Sequence, residues 1–288
     1  MEVDYNRAKG ELRLCQTQYI TRMLERFGQM ESFAARNPNV VGQDLRPQAE
    51  AAPLSSTKPY RELVGSLLYV ANCTRPYISV SMSMLSQYLD KAQDFHWHAA
   101  IRVLRYLKGT SKMALVFKRG SSKNVAVSAF CDANWGGDLA TRRSTSGVLV
   151  LMDGAPVIFK SKRQSSVALS TAETEYMALA LTTQELEWLR QLLDEIGMQV
   201  ARPMLIKVDN QAAISIAHNC GYSPRAKHID LRLHFIRDHV EAGHIAVEYI
   251  ASVAQLADYL TKPLATPQFA KLVMASGVKQ PHQVEGEC

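Results

Sequence analysis

Four acidic residues of this 288-residue chain stand where the local pattern asks for something else. Asp132 closes the alternating run VAVSAFCD and is followed by small residues and Trp135, and Asp209 closes the apolar run MLIKV. A carboxylate in such a place is penalised by desolvation unless it is paired or meets a cation. Glu175 lies in the long helical pattern TAETEYMALALTTQELEWLRQLLDEIG. At about 100° per residue it falls over Leu179, Leu186 and Leu193, whereas Glu173 falls over Met177, Gln184, Glu187 and Gln191. Glu175 therefore points inward and Glu173 outward. Asp258 opens a last short helix, where an Asp is also common simply because it suits a first turn. No CxxC or HExxH pattern accompanies these acids, so the donors are all oxygen, which suits Mg²⁺ or Mn²⁺ rather than zinc. Clustered carboxylates that hold two such ions clamp the attacking water and the leaving oxygen in phosphodiester hydrolysis. Taken singly, each acid also reads as a cap or a surface charge.

The elements that must position these acids follow from period and punctuation. From about residue 125, VAVSAFCDA, STSGVLVLM and PVIFKSK read as strands, with a tight turn at Asp153-Gly154 between the last two. The long helix ends at Gly197, and MLIKVDN is nearly all apolar, as a buried parallel strand should be. QAAISIAHN and DLRLHFIRDHVEAG read as helices, IAVEYIA as a strand and LADYLTKPL as a final short helix. Three consecutive strands, then helix, strand, helices, strand and helix describe an α/β layer fold with one mixed sheet.

Upstream the texture differs. MEVDYN and GELRLCQ read as a strand pair, and TQYITRMLERFG as a helix with Ile20, Leu24 and Phe27 on one face. Residues 35–57 lack periodicity and read as an extended linker. YRELVGSLLYVANCT and YISVSMSMLSQYLD, parted by Pro76, and HWHAAIRVLRYLKGT read as helices. In the last of these Arg102, Arg105 and Lys108 form a stripe beside Ile101, Leu104 and Leu107. Such a stripe suits phosphates along a duplex, and it equally suits a solvated face.

Composition bounds the rest. With 47% hydrophobic and 21% charged residues, and a mean hydropathy of -0.12, the chain reads as soluble and globular rather than disordered. No apolar run is long enough to span a bilayer, and the N-terminus carries no secretion signal. The five cysteines are scattered, which argues against a disulfide framework and fits a reducing compartment. Net charge is +6 and the pI about 9.0. Residues 1–120 hold 17 Lys and Arg against 10 Asp and Glu, and the remainder holds 16 against 17, so the basic excess lies wholly in the first part. A polyanionic partner would be gripped there.

The blocks CDANWGGD, RRSTSG, FKSKRQSSVALSTAETEY, VDNQAAI, KHIDLRLHFIRD and LADYLTKPL resemble, in order, the ribonuclease H of copia-type (Pseudoviridae-like) LTR retrotransposon polyproteins. LRLCQTQYITRMLERFG, YRELVGSLLYVANCTRPYISV and HWHAAIRVLRYLKGT resemble the stretch joining polymerase to ribonuclease H in those polyproteins. The resemblance implies a remnant of polymerase palm and thumb at 1–34, the linker at 35–57 and a mainly helical connection region at 58–118. It implies a ribonuclease H-like domain at 124–275, a three-layer α/β fold with a mixed five-stranded sheet, and a tail at 276–288.

For the site, the resemblance implies metal ligation by Asp132, Glu175, Asp209 and Asp258 with two Mg²⁺ or Mn²⁺ ions, Asp132 bridging both. His228 resembles a mobile histidine that helps proton transfer or product release, with His234 as its rival and a local hydrogen-bonding role as the plainer alternative. Arg142, Arg143, Ser144 and Ser146, together with Lys160, Lys162 and Arg163, are expected to touch phosphate or sugar, or else to solvate hairpin ends. The implied substrate is the RNA strand of an RNA–DNA hybrid, and the implied partner is the upstream polymerase portion of the same polyprotein. The setting is expected to be intracellular: the cytoplasm, within virus-like particles, with access to the nucleus and no membrane. Adjacent aspartates occur nowhere, so polymerase activity is not expected. Two alternatives stay open, a fragment that binds nucleic acid without turnover and a nuclease of different substrate on the same fold. Within the connection, Tyr77 stands where the family pattern has Asp.

Overall fold

Alternation in the first 15 residues gives the hairpin of β1 (Glu2–Asn6) and β2 (Glu11–Cys15), and apolar residues at helical spacing give α1 (Thr17–Arg26). This computed structural model describes residues 1–120, 122, 124–218 and 227–280, apart from the side chains of 227–231 and 233. The chain divides into two units, one made of Met1–Arg119 and the segment from Pro263 onward, the other of Gly120–Lys262.

In the first unit α2 (Tyr60–Cys73), α3 (Ser79–Leu85) and α4 (Asp94–Gly109) follow α1, and then β3 (Ala114–Lys118) pairs antiparallel with β2. Ile20, Leu63, Leu67, Leu104 and Leu107 are fully buried and form its centre. Tyr77 is fully buried too, edge-on to Tyr106 and Phe269. Residues 35–57 contain no helix or strand, yet they are not a loose linker. Leu45 is buried, His96 bonds to the Leu45 carbonyl, and the Gln93 amide donates to the carbonyls of Gln48 and Ala51. Side chains of α4 and its N-terminal flank tie this irregular segment down.

In the second unit β4 (Val127–Asn134), β5 (Thr145–Met152) and β6 (Ala155–Arg163) form an antiparallel meander. The β5–β6 turn is Asp153-Gly154, with φ of 49° and 80°. A tight turn with both central residues left-handed matches the twist of the strands it joins, and an Asp-Gly pair tolerates it. After α5 (Thr171–Glu195), β7 (Met204–Val208) lies parallel to β4. It is followed by α6 (Gln211–His218) and α7 (Lys227–Glu241), and β8 (Ile245–Tyr249) lies parallel to β7. The order β6-β5-β4-β7-β8 is the mixed five-stranded sheet expected of a ribonuclease H-like α/β fold.

Period 2 along β4 and β5 assigns the two faces of that sheet. Ala129, Cys131, Val148 and Val150 join Tyr176, Leu179, Leu186 and Leu189 of α5 in one buried core, with Ala213 of α6 and Ile236 of α7. On the other face Asp132 sits opposite Gly147, and the one-turn 3-10 helix Leu256–Leu260 lies on that glycine. A Cβ at Gly147 would come within 2.6 Å of Thr261 Cγ2 and 2.9 Å of the Ala257 carbonyl.

The structure departs from the sequence reading at the end of the chain. That reading has its last element at LADYLTKPL and runs one domain from 124 to 275. The structure instead adds α8 (Thr266–Ala275) and β9 (Val278–Lys279), and β9 pairs with β3 in a sheet ordered β1-β2-β3-β9. From Pro263 the chain therefore rejoins the first unit. Phe269, Leu272 and Val273 of α8, buried at helical spacing, are the signal that was available.

Gly147→Ala should lower stability by about 1–3 kcal/mol, the usual cost of overpacking, whereas Gly65→Ala, in open space within α2, should raise it slightly. Thermal unfolding of the two variants checks this. A Gly147→Ala protein that melts like the parent would mean the 3-10 turn does not rest on β5.

Candidate active site

Parallel pairing of β4 with β7, with Phe130 opposite Lys207, brings the ends of both strands together and so makes Asp132 and Asp209 neighbours. Glu175 arrives from the start of α5, whose entry is fixed by reciprocal bonds. The Ser170 hydroxyl accepts from the Glu173 N–H at 3.1 Å, and the Glu173 carboxylate accepts from the Leu169 N–H at 2.7 Å. The two glutamates thus divide the work as their helical phases predict. Glu173 caps, and Glu175 is 6% exposed and faces inward. One carboxylate oxygen from each of Asp132, Glu175 and Asp209 lies within 4.8 Å of the others.

The fourth acid comes with its own counter-ion. Asp258 is held in the 3-10 turn by Gln255, a fully buried side chain whose amide donates to Cys131 O at 2.9 Å and Lys207 O at 3.3 Å, on two adjacent strands. One turn on, Lys262 Nζ lies 2.8 Å from Asp258 Oδ1 and 3.6 Å from Asp132 Oδ2. The Thr261 hydroxyl donates to Asp132 Oδ2. The structure therefore gathers three of the expected acids into one cluster and gives Asp258 to an ammonium beside it.

Burial and like charge distort the titration of these groups. Burial, with the charges of Asp132 and Asp209, pushes the Glu175 carboxyl up to about 9. Burial and Asp132 push Asp258 up to about 7 against the pull of Lys262. Burial draws the Lys262 ammonium down, but the carboxylates of Asp132, Asp258 and Asp209 outweigh it and raise the group overall. Glu175 Oε2 is buried without a hydrogen-bond partner. An orphaned acid oxygen amid two more carboxylates, with no nitrogen or sulfur donor in the cluster, fits a hard divalent cation such as Mg²⁺ or Mn²⁺.

The expected nucleic-acid contacts separate into two groups. On α4, Arg102 Nε donates to Asn37 O at 3.0 Å, Arg105 Nε to Phe33 O at 2.6 Å, and Lys108 Nζ to Ser32 O at 2.6 Å and to Met30 O. These cations pin residues 30–37 by their carbonyls, a use that a charge stripe does not distinguish from phosphate binding. Ser144 is fully buried and its hydroxyl accepts from the Gly136 N–H, so it cannot touch a substrate. Ser146 is buried and accepts from the Gln164 amide. Lys160 pairs with Glu185 and Arg163 with Asp138. Arg142 and Lys162 are exposed and Arg143 partly so. The register Ala133–Ser146–Lys162 places Lys162 across the meander at the Asp132 end, where Lys162, Arg163 and Arg232 line one cleft. His228 falls in α7 with its side chain outside the described residues, and His234 is exposed on the same helix.

Sequence reasoning missed Lys262, Thr261 and Gln255. Lys262 was within reach, since it stands four residues after Asp258, an acid–base spacing that faces one side of a helical turn.

A transposon RE2 Pol polyprotein of Arabidopsis thaliana is 36% identical over 276 residues, which is 96% of this chain and 19% of that protein. The transposon TNT 1-94 Pol polyprotein of Nicotiana tabacum is 34% identical over 93% of this chain and 20% of its own length. The chain belongs with the copia-type retrotransposon Pol polyproteins. It spans about a fifth of the length of these curated relatives. No protein-family model matches it. Among solved structures, LC11-RNase H1 in complex with an RNA/DNA hybrid aligns with 47% of this chain and 93% of its own, at 16% identity and a TM-score of 0.36. The fold assignment within the Pol family stands on the strand order of the second unit.

Metal-free protein should lose stability as pH rises from about 4.5 to 9. Across that window folded Glu175 keeps a proton that the unfolded chain has released, and stability falls wherever the folded state holds more protons. Glu175→Gln should flatten the decline. Melting curves in chelator at several pH values check this, and equal slopes for both proteins would refute the inward, protonated Glu175.

Proposed function

We propose that this chain carries a divalent-metal-dependent ribonuclease H that cuts the RNA strand of an RNA–DNA hybrid as part of a Pol polyprotein. The observation that carries the reading is the convergence of Asp132, Glu175 and Asp209 at the ends of adjacent parallel strands and the second turn of α5, in a chain whose relatives are Pol polyproteins. Bound Mg²⁺ or Mn²⁺, as two ions, supplies an activated water and stabilisation of the 3′-oxygen leaving group.

In this reading Asp132, Glu175, Asp209 and Asp258 would hold the ions, with Asp132 as the acid common to both. Glu175, whose carboxyl is pushed up to about 9, would have to be ionised to act as a ligand. Gln255 and Thr261 hold the acids in place by bonding to backbone and carboxylate. Arg142, Arg143 and Lys162 contact phosphates on the side of the sheet end they occupy, and 2′-hydroxyl contacts select the RNA strand. His228 assists proton transfer or product release. The partner is the upstream polymerase portion, and the setting is intracellular.

A second reading, hybrid binding without turnover, draws on one observation: Lys262 already occupies the space between Asp132 and Asp258. Cleavage of a labelled RNA–DNA hybrid decides between them, with duplex DNA and duplex RNA as comparison substrates. The expected outcome is Mg²⁺-dependent cutting of hybrid RNA that falls by about two orders of magnitude or more in Asp132→Asn. Binding without cutting supports the second reading, and cutting that persists in Asp132→Asn removes the mechanism.

A further inference from the structure

A second set of metal-ligating side chains lies on the second unit, 12 residues along α5 from Glu175 to Glu187, or about 18 Å at the helical rise. One ligand atom each of Glu187, His239 and His244 lies within 4.8 Å of the others. Glu187 stands on α5, His239 at the end of α7, and His244 in the turn leading to β8.

The hydrogen bonds of these residues leave one ring or carboxylate position on each unsaturated. His239 Nδ1 lies 2.9 Å from the Phe235 carbonyl, so that nitrogen carries the proton and donates it. With the ring neutral, Nε2 offers a lone pair, 3.7 Å from Glu187 Oε2. That is too long for a hydrogen bond, yet close to the roughly 3.4 Å separating two ligands of one tetrahedral zinc ion with bonds of about 2.0–2.1 Å. A backbone carbonyl accepting the opposite ring N–H is the usual support of a metal-bound histidine.

Glu187 Oε1 accepts from Arg190 Nη2 at 2.6 Å and Gln191 Nε2 at 2.9 Å, while Oε2 accepts only from Arg190 Nε at 2.8 Å and keeps one lone pair. Asp194, 2.5 Å from Arg190 Nη1, offsets the guanidinium charge. His244 Nδ1 is buried and without a hydrogen-bond partner. The backbone is set for it as well. Gly243 takes a φ of 67°, the His244 N–H donates to His239 O at 3.0 Å, and the His244 carbonyl accepts from the Met204 N–H of β7. This helix-ending turn fixes the two histidines relative to one another before any ligand arrives.

We infer that Glu187, His239 and His244 bind one zinc-class transition ion, with a fourth position open to water, and that the ion joins the end of α7 and the entry to β8 to α5. Two imidazoles and a carboxylate suit zinc, and they differ in kind from the all-oxygen donors of Asp132, Glu175 and Asp209.

The test is a Co²⁺ titration of the full chain followed by electronic absorption, in excess Mg²⁺ so that the oxygen cluster is filled. Expected are one equivalent of Co²⁺ with the intense visible bands of a four-coordinate ion, displacement of those bands by Zn²⁺, and a higher unfolding temperature with Zn²⁺. Asp132→Asn should keep the bands. His244→Gln and His239→Gln should each weaken binding by more than the roughly 10–100-fold cost of losing an outer partner. A parent protein showing no four-coordinate bands would mean that His239 and Glu187 form a plain ion pair, and the inference falls. It falls equally if a folded His244→Gln protein, with native circular dichroism, binds Co²⁺ as the parent does.

Discussion

Mutual repulsion of carboxylates at one end of the second sheet is the constraint around which the rest of that unit is arranged. Three acid oxygens within 4.8 Å, two of the three acids almost wholly buried, cannot all be ionised without compensation. The metal-free chain answers in two ways. Glu175, pushed up to about 9 by burial and its neighbours, stays a neutral acid at ordinary pH. Lys262 places an ammonium between Asp132 and Asp258. Both devices are local, and both leave the cluster within reach of a cation that does the same work better.

Crowding of this kind needs a scaffold that cannot relax away from it. Parallel pairing of β4 and β7 fixes Asp132 beside Asp209 through backbone bonds that neither side chain can alter. The Ser170–Glu173 cap sets where α5 begins and therefore where Glu175 points. Asp258 stands in a short 3-10 helix, and its place depends on the buried Gln255 amide bridging two strand carbonyls and on the missing side chain at Gly147. The acid on the shortest element is the one with the most specific side-chain support.

Much of this was legible in the sequence, because a carboxylate that breaks an apolar pattern is visible without knowing what it meets. Asp132 and Asp209 broke strand patterns, and helical phase separated Glu175 from Glu173. The Asp153-Gly154 hairpin followed from turn chemistry. What stayed hidden depended on pairings distant in sequence. β9 pairs with β3 about 160 residues earlier, which no local periodicity encodes, so the boundary at Lys262 was missed. Arg102, Arg105 and Lys108 were read as a stripe suited to phosphates or to a solvated face, and in the structure they bond to carbonyls of residues 30–37. A guanidinium seeks oxygen acceptors of either kind, and the sequence records the donor only.

Lys262 shows why the metal-free arrangement matters for chemistry. A divalent cation held by Asp132, Glu175 and Asp209 would compete with the Glu175 proton, and one held at Asp258 would compete with the ammonium 2.8 Å away. Each displacement costs free energy that is subtracted from the ion's intrinsic affinity. The same groups that relieve the crowding of the acids would thus weaken cation binding. The competition is steepest at Asp258, where the compensating charge is covalently attached four residues away and so never diluted.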